Sequence, residues 1–461
     1  MVVGGGLSGL TAAAELGRLG HRVTVLEAAP ELGGAARSVV AAGARVDVGP
    51  TVLTDLEPLR ALFAGAGQSL EAALPMRRVD PALVATFPEG DLALGAEGAP
   101  SARALARLGL HAASDWQRLA ELGAQAERLA RHFYARGDVG GPADLVRFVA
   151  GGGGRWHELA PFVRYPSLMA LVRGTVRTPA IARLVAHFAR FLGLDAGRAP
   201  SVALVVFHLV ATRGVVHPRG GFGALVQAID GLGRKHGVEV EAGVRVHGLA
   251  RQGGRVTGVR AMPGGDRPAG AVVAAMDAAE TAGWVEGTGW GRRVGRLGPA
   301  LSARVAWWVV EGPVPAGIHH ALHFGPEPGE EPLYLAVPTV TDPGLAPPGV
   351  SVLHALLHGP AGAPATDALG PAIETRLRAL GRWPRGSVLA HGVTGGARSC
   401  YGYAIRPGLF GSFRPSQRVP GVDNLVAAGG SVFPGPGVAN VVRSGLRAAA
   451  LCHAAIEGRR P

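Results

Sequence analysis

Residues 1–34 carry the strongest structural signal in this chain and read MVVGGGLSGLTAAAELGRLGHRVTVLEAAPELGG. An apolar strand runs into a glycine-rich turn that opens a helix, and a second strand ends at the acid Glu27. In this arrangement Gly4 permits a tight turn, Gly6 lets a pyrophosphate approach bare backbone, and Gly9 lets the helix pack closely on the strand. The order of the elements predicts a βαβ unit that binds a dinucleotide.

The start of this first helix is the predicted phosphate site, because its unpaired backbone N–H groups and its dipole favour negative charge. Glu27 follows the turn by about twenty residues, the spacing of an acid that accepts hydrogen bonds from a ribose. The strand before the turn is short, since strands usually have about five residues. We therefore expect the natural chain to begin a few residues upstream of Met1.

The composition limits the remaining classes. A length of 461 residues favours two domains. The longest apolar run, Val202–Ala211, is well below the roughly 18 residues that span a bilayer. Two cysteines, Cys400 and Cys452, provide neither a disulfide framework nor a metal cluster. We expect a reducing, cytoplasmic compartment and no bound metal.

The formal charge of +12 comes almost wholly from arginine, since Lys235 is the single lysine. Between Arg147 and Leu194, seven arginines stand against one acid, Glu158, and large apolar side chains lie among them. This mixture suits an anionic membrane surface, so we expect peripheral membrane association. The alternative is an ordinary solvated surface, in which the arginines reflect the codon usage of a GC-rich genome. No recognised motif supports a nucleic-acid partner.

The end of the chain repeats the pattern of its beginning, a strand followed by a glycine-rich bend and a helix. A predicted buried strand, Leu425–Ala428, is followed by a glycine bend and by a helix from about Val438 to Glu457. We expect these elements to complete the first domain, with the positive end of the helix toward the ligand. A second glycine pair, Gly33-Gly34, follows the ribose acid. Together these features favour FAD over NAD, because the closing helix can stabilise charge on a reduced flavin ring.

The middle of the chain predicts a second domain. Pro88-Glu89-Gly90-Asp91 is typical of a hairpin turn, and residues 101–194 have helical periodicity broken by the glycine run Gly151–Gly154. One long strand is predicted at Val238–Val246. A second sheet is predicted from four strands: Trp307–Val310, Ala321–Phe324, Leu333–Val337 and Val352–Leu357.

Several segments together resemble the bacterial phytoene-desaturase-type flavoproteins, and within them the hydroxycarotenoid 3,4-desaturase branch. They are Gly4–Arg37, Asp47–Thr54, Ile318–Phe324, Pro338–Gly349 and Gly429–Gly437. The resemblance covers nearly the whole chain and is weakest over residues 101–200. It implies an α/β fold: a Rossmann-like FAD-binding domain of the glutathione-reductase and amine-oxidase type, with a second α+β substrate domain.

The resemblance also implies the domain limits and the cofactor residues. The FAD-binding parts are expected at 1–70, 205–283 and 405–461, and the substrate domain at 71–204 and 284–404. The residues expected to bind FAD are Gly4, Gly6, Leu7, Ser8, Gly9, Glu27, Ala28, Gly33, Gly34, Arg37, Gly49, Pro50, Val246, Gly430, Ser431, Gly437 and Val438. The chain departs from the family pattern at Ala35, Phe433 and Ala439, which leaves the fine substrate specificity open.

The implied reaction is desaturation of an acyclic carotenoid of the phytoene, neurosporene or hydroxycarotenoid type. A hydride leaves to flavin and a proton leaves to a base. Because the cation left beside a polyene is delocalised, a weak base and an apolar tunnel that orients the substrate suffice. No carboxylate pair or Ser/His/Asp set stands out, so no catalytic residue is assigned. The electron acceptor, a quinone or oxygen, stays open.

Alternatives remain at single residues and for the whole protein. A metal site at His319, His320 and His323 is not expected, because neighbours on a strand point to opposite faces and ligand partners are missing. His217 either approaches the flavin or is a plain loop residue, and Asp277 lies near adenine or caps a helix. The rival functions are a flavin amine oxidase, a polyene saturase or isomerase, and a non-catalytic lipid-binding escort.

Overall fold

The computed structural model describes residues 1–136, 156–315, 317–327, 329–396, 400–404 and 414–458. The glycine run Gly151–Gly154 and the predicted domain boundary at residue 405 lie outside these ranges. The strands in the described residues are β1 (Val2–Val3), β2 (Thr24–Glu27), β3 (Ser38–Ala41), β4 (Ala44–Asp47), β5 (Met76–Arg78), β6 (Leu83–Phe87), β7 (Gly90–Leu94), β8 (Val216–Pro218), β9 (Glu239–Ala242), β10 (Arg245–Gln252), β11 (Arg255–Met262), β12 (Gly265–Pro268), β13 (Val272–Ala274), β14 (Leu301–Glu311), β15 (His320–His323), β16 (Leu333–Ala336), β17 (Val350–Pro360), β18 (Val388–Gly395) and β19 (Leu425–Ala427).

The α-helices in the same residues are α1 (Leu7–Arg18), α2 (Glu57–Gly65), α3 (Leu70–Ala73), α4 (Ala102–Leu108), α5 (Ala112–Arg136), α6 (Trp156–Arg164), α7 (Leu168–Thr175), α8 (Pro179–His187), α9 (Leu204–Arg213), α10 (Gly221–Lys235), α11 (Ala278–Trp284), α12 (Gly289–Val294), α13 (Leu369–Ala379) and α14 (Val438–Ile456). Within the described part of the chain, no helix combines the length and the apolar composition needed to cross a membrane.

The first sheet has five parallel strands in the order β19-β13-β1-β2-β9. Its strands come from the beginning, the middle and the end of the chain. Small residues let α1 lie close to this sheet: Ala12 and Ala13 share a buried cluster with Val25 of β2 and Ala449 of α14. The predicted return of the C-terminal segment to the first domain is confirmed, because β19 completes the sheet and α14 packs beside α1.

One predicted strand is wrong. The segment Val238–Val246 was expected to form a single strand, but the structure divides it between β9 and β10. Gly243 adopts a φ of 74°, a left-handed conformation that suits glycine and turns the chain between the two strands. As a result, β9 joins the parallel sheet, and β10 begins a separate antiparallel sheet with β11 and β12.

The second large sheet has seven strands in the order β18-β14-β17-β16-β15-β6-β7. The hairpin predicted at residues 88–91 is confirmed as β6 and β7, which pair through Phe87 and Gly90. The four strands predicted for this sheet are confirmed as β14 to β17, although β14 begins earlier, at Leu301. The pairing of β6 with β15 is parallel, and it attaches the hairpin to the rest of the sheet.

Helices cover both faces of the seven-stranded sheet. Along β17 the side chains alternate, so that Leu353 packs with Ile373 and Leu377 of α13 on one face. On the other face, Leu356 belongs to a large apolar cluster that includes Phe207 of α9. The space between this second face and the helical layer continues to the carboxyl ends of the strands in the five-stranded parallel sheet. Sheets of the α/β class bind their ligands at this edge. The α/β fold class is confirmed, and the exact domain limits remain predictions.

Candidate functional site

The glycine turn after β1 is shaped by close backbone contacts. A Cβ atom at Gly9 would overlap the carbonyl oxygen of Gly4, and a Cβ at Gly4, where φ is 107°, would overlap that of Ala275. Gly6 differs from both, because a Cβ there would have no other atom nearer than 4.0 Å. Gly4 and Gly9 are therefore needed for packing, whereas Gly6 borders open space where a phosphate can approach the backbone.

The start of α1 has no side-chain cap at Gly6, so the first backbone N–H groups of the helix remain available to an anion. The second glycine pair lies directly across this space. The N–H of Gly33 donates to the carbonyl of Gly5 at 2.9 Å, and a Cβ at Gly34 would lie 3.3 Å from the Cα of Gly6. The two turns thus form a cradle made of backbone alone, which suits a pyrophosphate.

Glu27 holds the cradle together. Its Oε2 accepts from the N–H of Gly5 at 2.6 Å, and its Oε1 accepts from the N–H of Ala29 at 2.7 Å. A carboxylate offers about four acceptor positions, so these two bonds leave capacity for ribose hydroxyls. The side chain lies at the rim of the cavity described below, where such hydroxyls can reach it.

The C-terminal segment closes the opposite side. Gly437, with φ 98°, precedes α14, and the N-terminus of this helix points its dipole at the cavity. Ser431 also lines the cavity, but its Oγ accepts from the N–H of Ala278 at 2.9 Å. The Ser431 hydroxyl therefore ties the bend after β19 to the start of α11.

A cavity of about 930 Å³ joins these parts. All the residues predicted to bind FAD line it except Gly9, which lies beneath the turn. The residues brought together are Gly4, Gly6, Leu7, Ser8, Glu27, Ala28, Gly33, Gly34, Arg37, Gly49, Pro50, Val246, Gly430, Ser431, Gly437 and Val438. A backbone cradle, a ribose acceptor and a facing helix N-terminus fit the parts of a flavin dinucleotide.

Beyond the cradle, the same cavity runs between the seven-stranded sheet and the helical layer. The helical side is lined by Phe188, Phe191, Leu192, Val205, Val206, Leu209 and Val210. The sheet side is lined by Ala303, Val305, His320, Tyr334, His354 and Leu356. Neither wall is predicted by a local motif in the sequence. Strand alternation was the available signal, since Ala303 and Val305, like His354 and Leu356, are spaced by two along one strand.

The polar groups on the sheet side are neutral. Burial lowers the pKa of His320 and of His354 to about 4, so both imidazoles are uncharged at neutral pH. Burial likewise raises the pKa of the Tyr334 phenol, whose hydroxyl pairs with Oγ1 of Thr51. This part of the wall therefore presents no charge, which favours a lipophilic ligand.

Charged side chains line another part of the cavity, and they are paired with one another. Glu127 forms ion pairs with Arg131, at 2.8 Å, and with Arg213. Asp55 pairs with Arg443 at 2.6 Å. Because each of these carboxylates faces at least one guanidinium, neither presents an unpaired negative charge to the cavity.

The structure shows the positions of the residues whose roles the sequence did not decide. His217 does not line the cavity; its Nδ1 lies 2.9 Å from the carbonyl oxygen of Thr51 in a buried position. Asp277 both lines the cavity and caps α11, through a 2.9 Å bond from the N–H of Ala279.

His319 precedes β15 instead of lying on it, and contacts Oγ1 of Thr341 at 2.7 Å. Among the described residues, no three His, Cys, Asp or Glu side chains are grouped to hold a metal.

The backbone cradle and the channel that continues from it fit the class of flavin-dependent oxidoreductases. Residues 7–453 match the family described as flavin containing amine oxidoreductase, and the chain belongs to that family. It is an FAD-dependent enzyme.

Similarity to individual proteins is spread over nearly the full length and confirms the resemblance to carotenoid desaturases. The chain is 30% identical to phytoene dehydrogenase of Streptomyces griseus, over 97% of this chain and 94% of that protein. It is 30% identical to hydroxyneurosporene desaturase of Cereibacter sphaeroides, over 97% and 96%. It is 26% identical to 4,4'-diapolycopene oxygenase of a Methylomonas species, over 96% of both.

Solved structures share the fold at low identity. An oxidoreductase from Methanosarcina mazei matches with a TM-score of 0.68 at 17% identity, over 97% of this chain and 98% of that one. Cyclohexylamine oxidase from Brevibacterium oxydans matches with a TM-score of 0.64 at 17% identity, over 99% and 98%. These matches confirm the predicted fold.

Replacing Gly6 by alanine tests the cradle. Gly6 has a φ of −75°, which alanine adopts, and its added methyl group would enter the open space instead of the protein. We expect Gly6→Ala to fold normally but to retain much less FAD, measured as flavin absorbance per protein. Gly231→Ala, on α10 with open space around it, is the matched control. Equal flavin content in the two variants would contradict the phosphate site.

Replacing His354 by phenylalanine tests the neutral wall. Both ring nitrogens of His354 are buried without a partner among the described residues, and its folded pKa is about 4. The unfolded chain takes up a proton first, so stability is full above about pH 6.5 and falls as the pH drops toward 4. We expect protonation of His354 in the unfolded chain to lower the free energy of unfolding by roughly 2 kcal/mol at about pH 5.

The measurement is urea unfolding at about pH 7.5 and pH 5 for wild type and His354→Phe. The variant should lose less stability on acidification, because phenylalanine cannot take up the proton. His111→Phe, at an exposed position, is the control and should follow the wild type. An acid sensitivity unchanged by His354→Phe would show that this imidazole is solvated in the folded protein.

Proposed function

We propose that the enzyme desaturates an acyclic carotenoid of the phytoene, neurosporene or hydroxycarotenoid type, with hydride transfer to flavin. The observation that carries this proposal is the continuity of the cavity, which runs from the backbone cradle into a channel between sheet and helices whose sheet wall is uncharged. A volume of about 930 Å³ is large for a binding site, since small-molecule pockets occupy roughly 300–1,000 Å³. The desaturase names of the relatives agree with it.

In this proposal the chain binds and orients, and the cofactor supplies the redox chemistry. Bound FAD accepts two electrons and a proton equivalent as hydride. Gly6, Gly34 and the start of α1 hold its pyrophosphate, and Glu27 holds its ribose. The apolar side chains of α9 and the facing sheet keep a polyene extended and exclude water from the reacting carbons.

The same proposal places the enzyme at a membrane, where a carotenoid is dissolved. On α6, Val163 is an exposed apolar side chain, with 65% of its surface accessible, and Arg164 beside it is also exposed. Arg173 and Arg177 are exposed further along the same helical layer. Exposed arginines next to an exposed apolar side chain suit contact with anionic lipid headgroups. The electrons then pass to a quinone or to oxygen.

Expression in a bacterial host that accumulates phytoene or neurosporene tests the function. We expect the pigments to shift to longer wavelengths as conjugated double bonds are added. Val206→Trp should abolish this shift without lowering flavin content, because Val206 lines the channel on α9 and an indole would fill it. Val206→Ala, which leaves the channel open, should retain the shift. Unchanged pigments with wild-type enzyme in several such hosts would refute the desaturase assignment.

Vesicle sedimentation tests the membrane contact. We expect binding to vesicles with anionic lipid and little binding to purely zwitterionic vesicles. Removing a basic residue costs about 1 kcal/mol of attraction, so Arg164→Glu with Arg173→Glu should weaken binding more than tenfold. Arg255→Glu with Arg260→Glu, at two exposed positions on β11 of the separate antiparallel sheet, is the control with the same change of net charge. Equal loss in both proteins would mean that the contact is not located on α6 and α7.

A further inference from the structure

The proposed reaction releases a proton, and the cavity wall carries nitrogen bases on one face of the seven-stranded sheet. His320 on β15 lies opposite Ala336 on β16, which in turn lies opposite His354 on β17. The side chains of His320 and His354 both line the cavity, whereas His323, on the same strand as His320, does not. The sheet therefore presents imidazole rings to the channel at two positions in one row.

The two imidazoles differ in how they are held. Nδ1 of His320 lies 2.7 Å from the carbonyl oxygen of Ala82, at the start of the β6 hairpin. A carbonyl oxygen only accepts, so the ring proton is on Nδ1 and the lone pair is on Nε2. Nε2 has no hydrogen-bond partner among the described residues. Neither ring nitrogen of His354 has a hydrogen-bond partner among the described residues, so no hydrogen bond fixes the orientation of this ring.

The surroundings of His320 keep it neutral. Among the described residues, the titratable groups near it are the imidazole of His319 and the phenol of Tyr334, whose ring centre is 5.1 Å away, and His354 lies beyond Tyr334. His217 lies behind His319, with 5.1 Å between ring centres. Burial lowers the pKa of His320 to about 4. The ring is therefore an unprotonated base throughout the neutral range.

We propose that His320 is the catalytic base of this enzyme, with Nε2 accepting the proton that the polyene loses during desaturation. This assignment rests on the proposed function. One C–H bond breaks and its electron pair leaves with the hydrogen as hydride to FAD. Because hydride transfer is reversible, it is completed only when the neighbouring C–H bond breaks, its electron pair becomes the new C=C bond, and its proton bonds to Nε2, so net bleaching of the flavin is limited by the base. The imidazolium returns this proton to water before the next turnover.

A weak base is adequate for this step. The carbocation formed by hydride loss is a strong acid at its neighbouring carbon, so deprotonation needs a correctly placed lone pair more than high basicity. The Ala82 carbonyl supplies the placement, because it fixes both the tautomer and the direction of the ring. Ala82 thus positions the base without touching the substrate.

The tautomer can be measured without turnover. In FAD-loaded protein labelled with ¹⁵N-histidine, the His320 signals are those lost in His320→Gln. We expect the pattern of a protonated Nδ1 and an unprotonated Nε2 from about pH 6 to 8. A doubly protonated ring, or a proton on Nε2, in this range would overturn the assignment.

The catalytic step is tested by anaerobic mixing of FAD-loaded enzyme with the carotenoid that it desaturates, followed as bleaching of the flavin. We expect His320→Gln to slow bleaching by about 100-fold, in the range of general bases. The glutamine amide can still donate to Ala82, so flavin content and carotenoid affinity should be unchanged. His323→Gln, on the same strand but outside the cavity, should match the wild type.

Free imidazole provides a second readout. Added to His320→Ala, it should restore part of the bleaching rate, which a purely structural role of His320 would not allow. Equal bleaching rates in His320→Gln and His323→Gln would overturn the proposal. A wild-type enzyme whose flavin no acyclic carotenoid bleaches would instead refute the proposed function, so the two failures are distinguishable.

Discussion

The approach of α1 to the parallel sheet is the contact on which the nucleotide site depends. Gly9 lies so close to the carbonyl of Gly4 that a single methyl group would separate the helix from the strand. This contact puts the start of α1 at the carboxyl edge of the sheet, where its uncapped N–H groups face the second glycine pair. Glu27 then secures the same turn through Gly5. The cradle, the position of Glu27 beside it and the direction of the cavity all follow from this one close approach.

The channel between the seven-stranded sheet and the helices depends on the charge of its walls, whereas the cradle depends on packing. A channel for a lipophilic ligand requires walls without unpaired charge, and the structure meets this requirement in two ways. The imidazoles and the phenol on the sheet face are buried and neutral. Of the carboxylates that line the cavity elsewhere, Glu127 and Asp55 are matched by arginines, and Glu27 accepts two backbone hydrogen bonds. Buried polar groups that carry no charge can therefore line an apolar channel.

Local signals in the sequence were sufficient for the cradle and insufficient for the channel. The glycine spacing, the acid at Glu27 and the closing helix are each recognisable within a short window, because they satisfy backbone geometry. The split after Ala242 was missed because an apolar alternation continues across Gly243, where the backbone turns. His354 and Tyr334 were missed for another reason. Strand alternation separates the two faces of a sheet but does not tell which face meets the cavity, and that depends on pairing between distant strands.

The order of strands in the parallel sheet has a consequence for biosynthesis. β1 lies at its centre, yet β13 and β19, on one side of it, come from the middle and the end of the chain. Pairings across such separations form late, because the loop entropy must be overcome first. Until Leu425–Ala427 and α14 leave the ribosome, the flavin pocket lacks a wall and the sheet has an open apolar edge. A complete flavin pocket therefore exists only after the C-terminal segment has been synthesised.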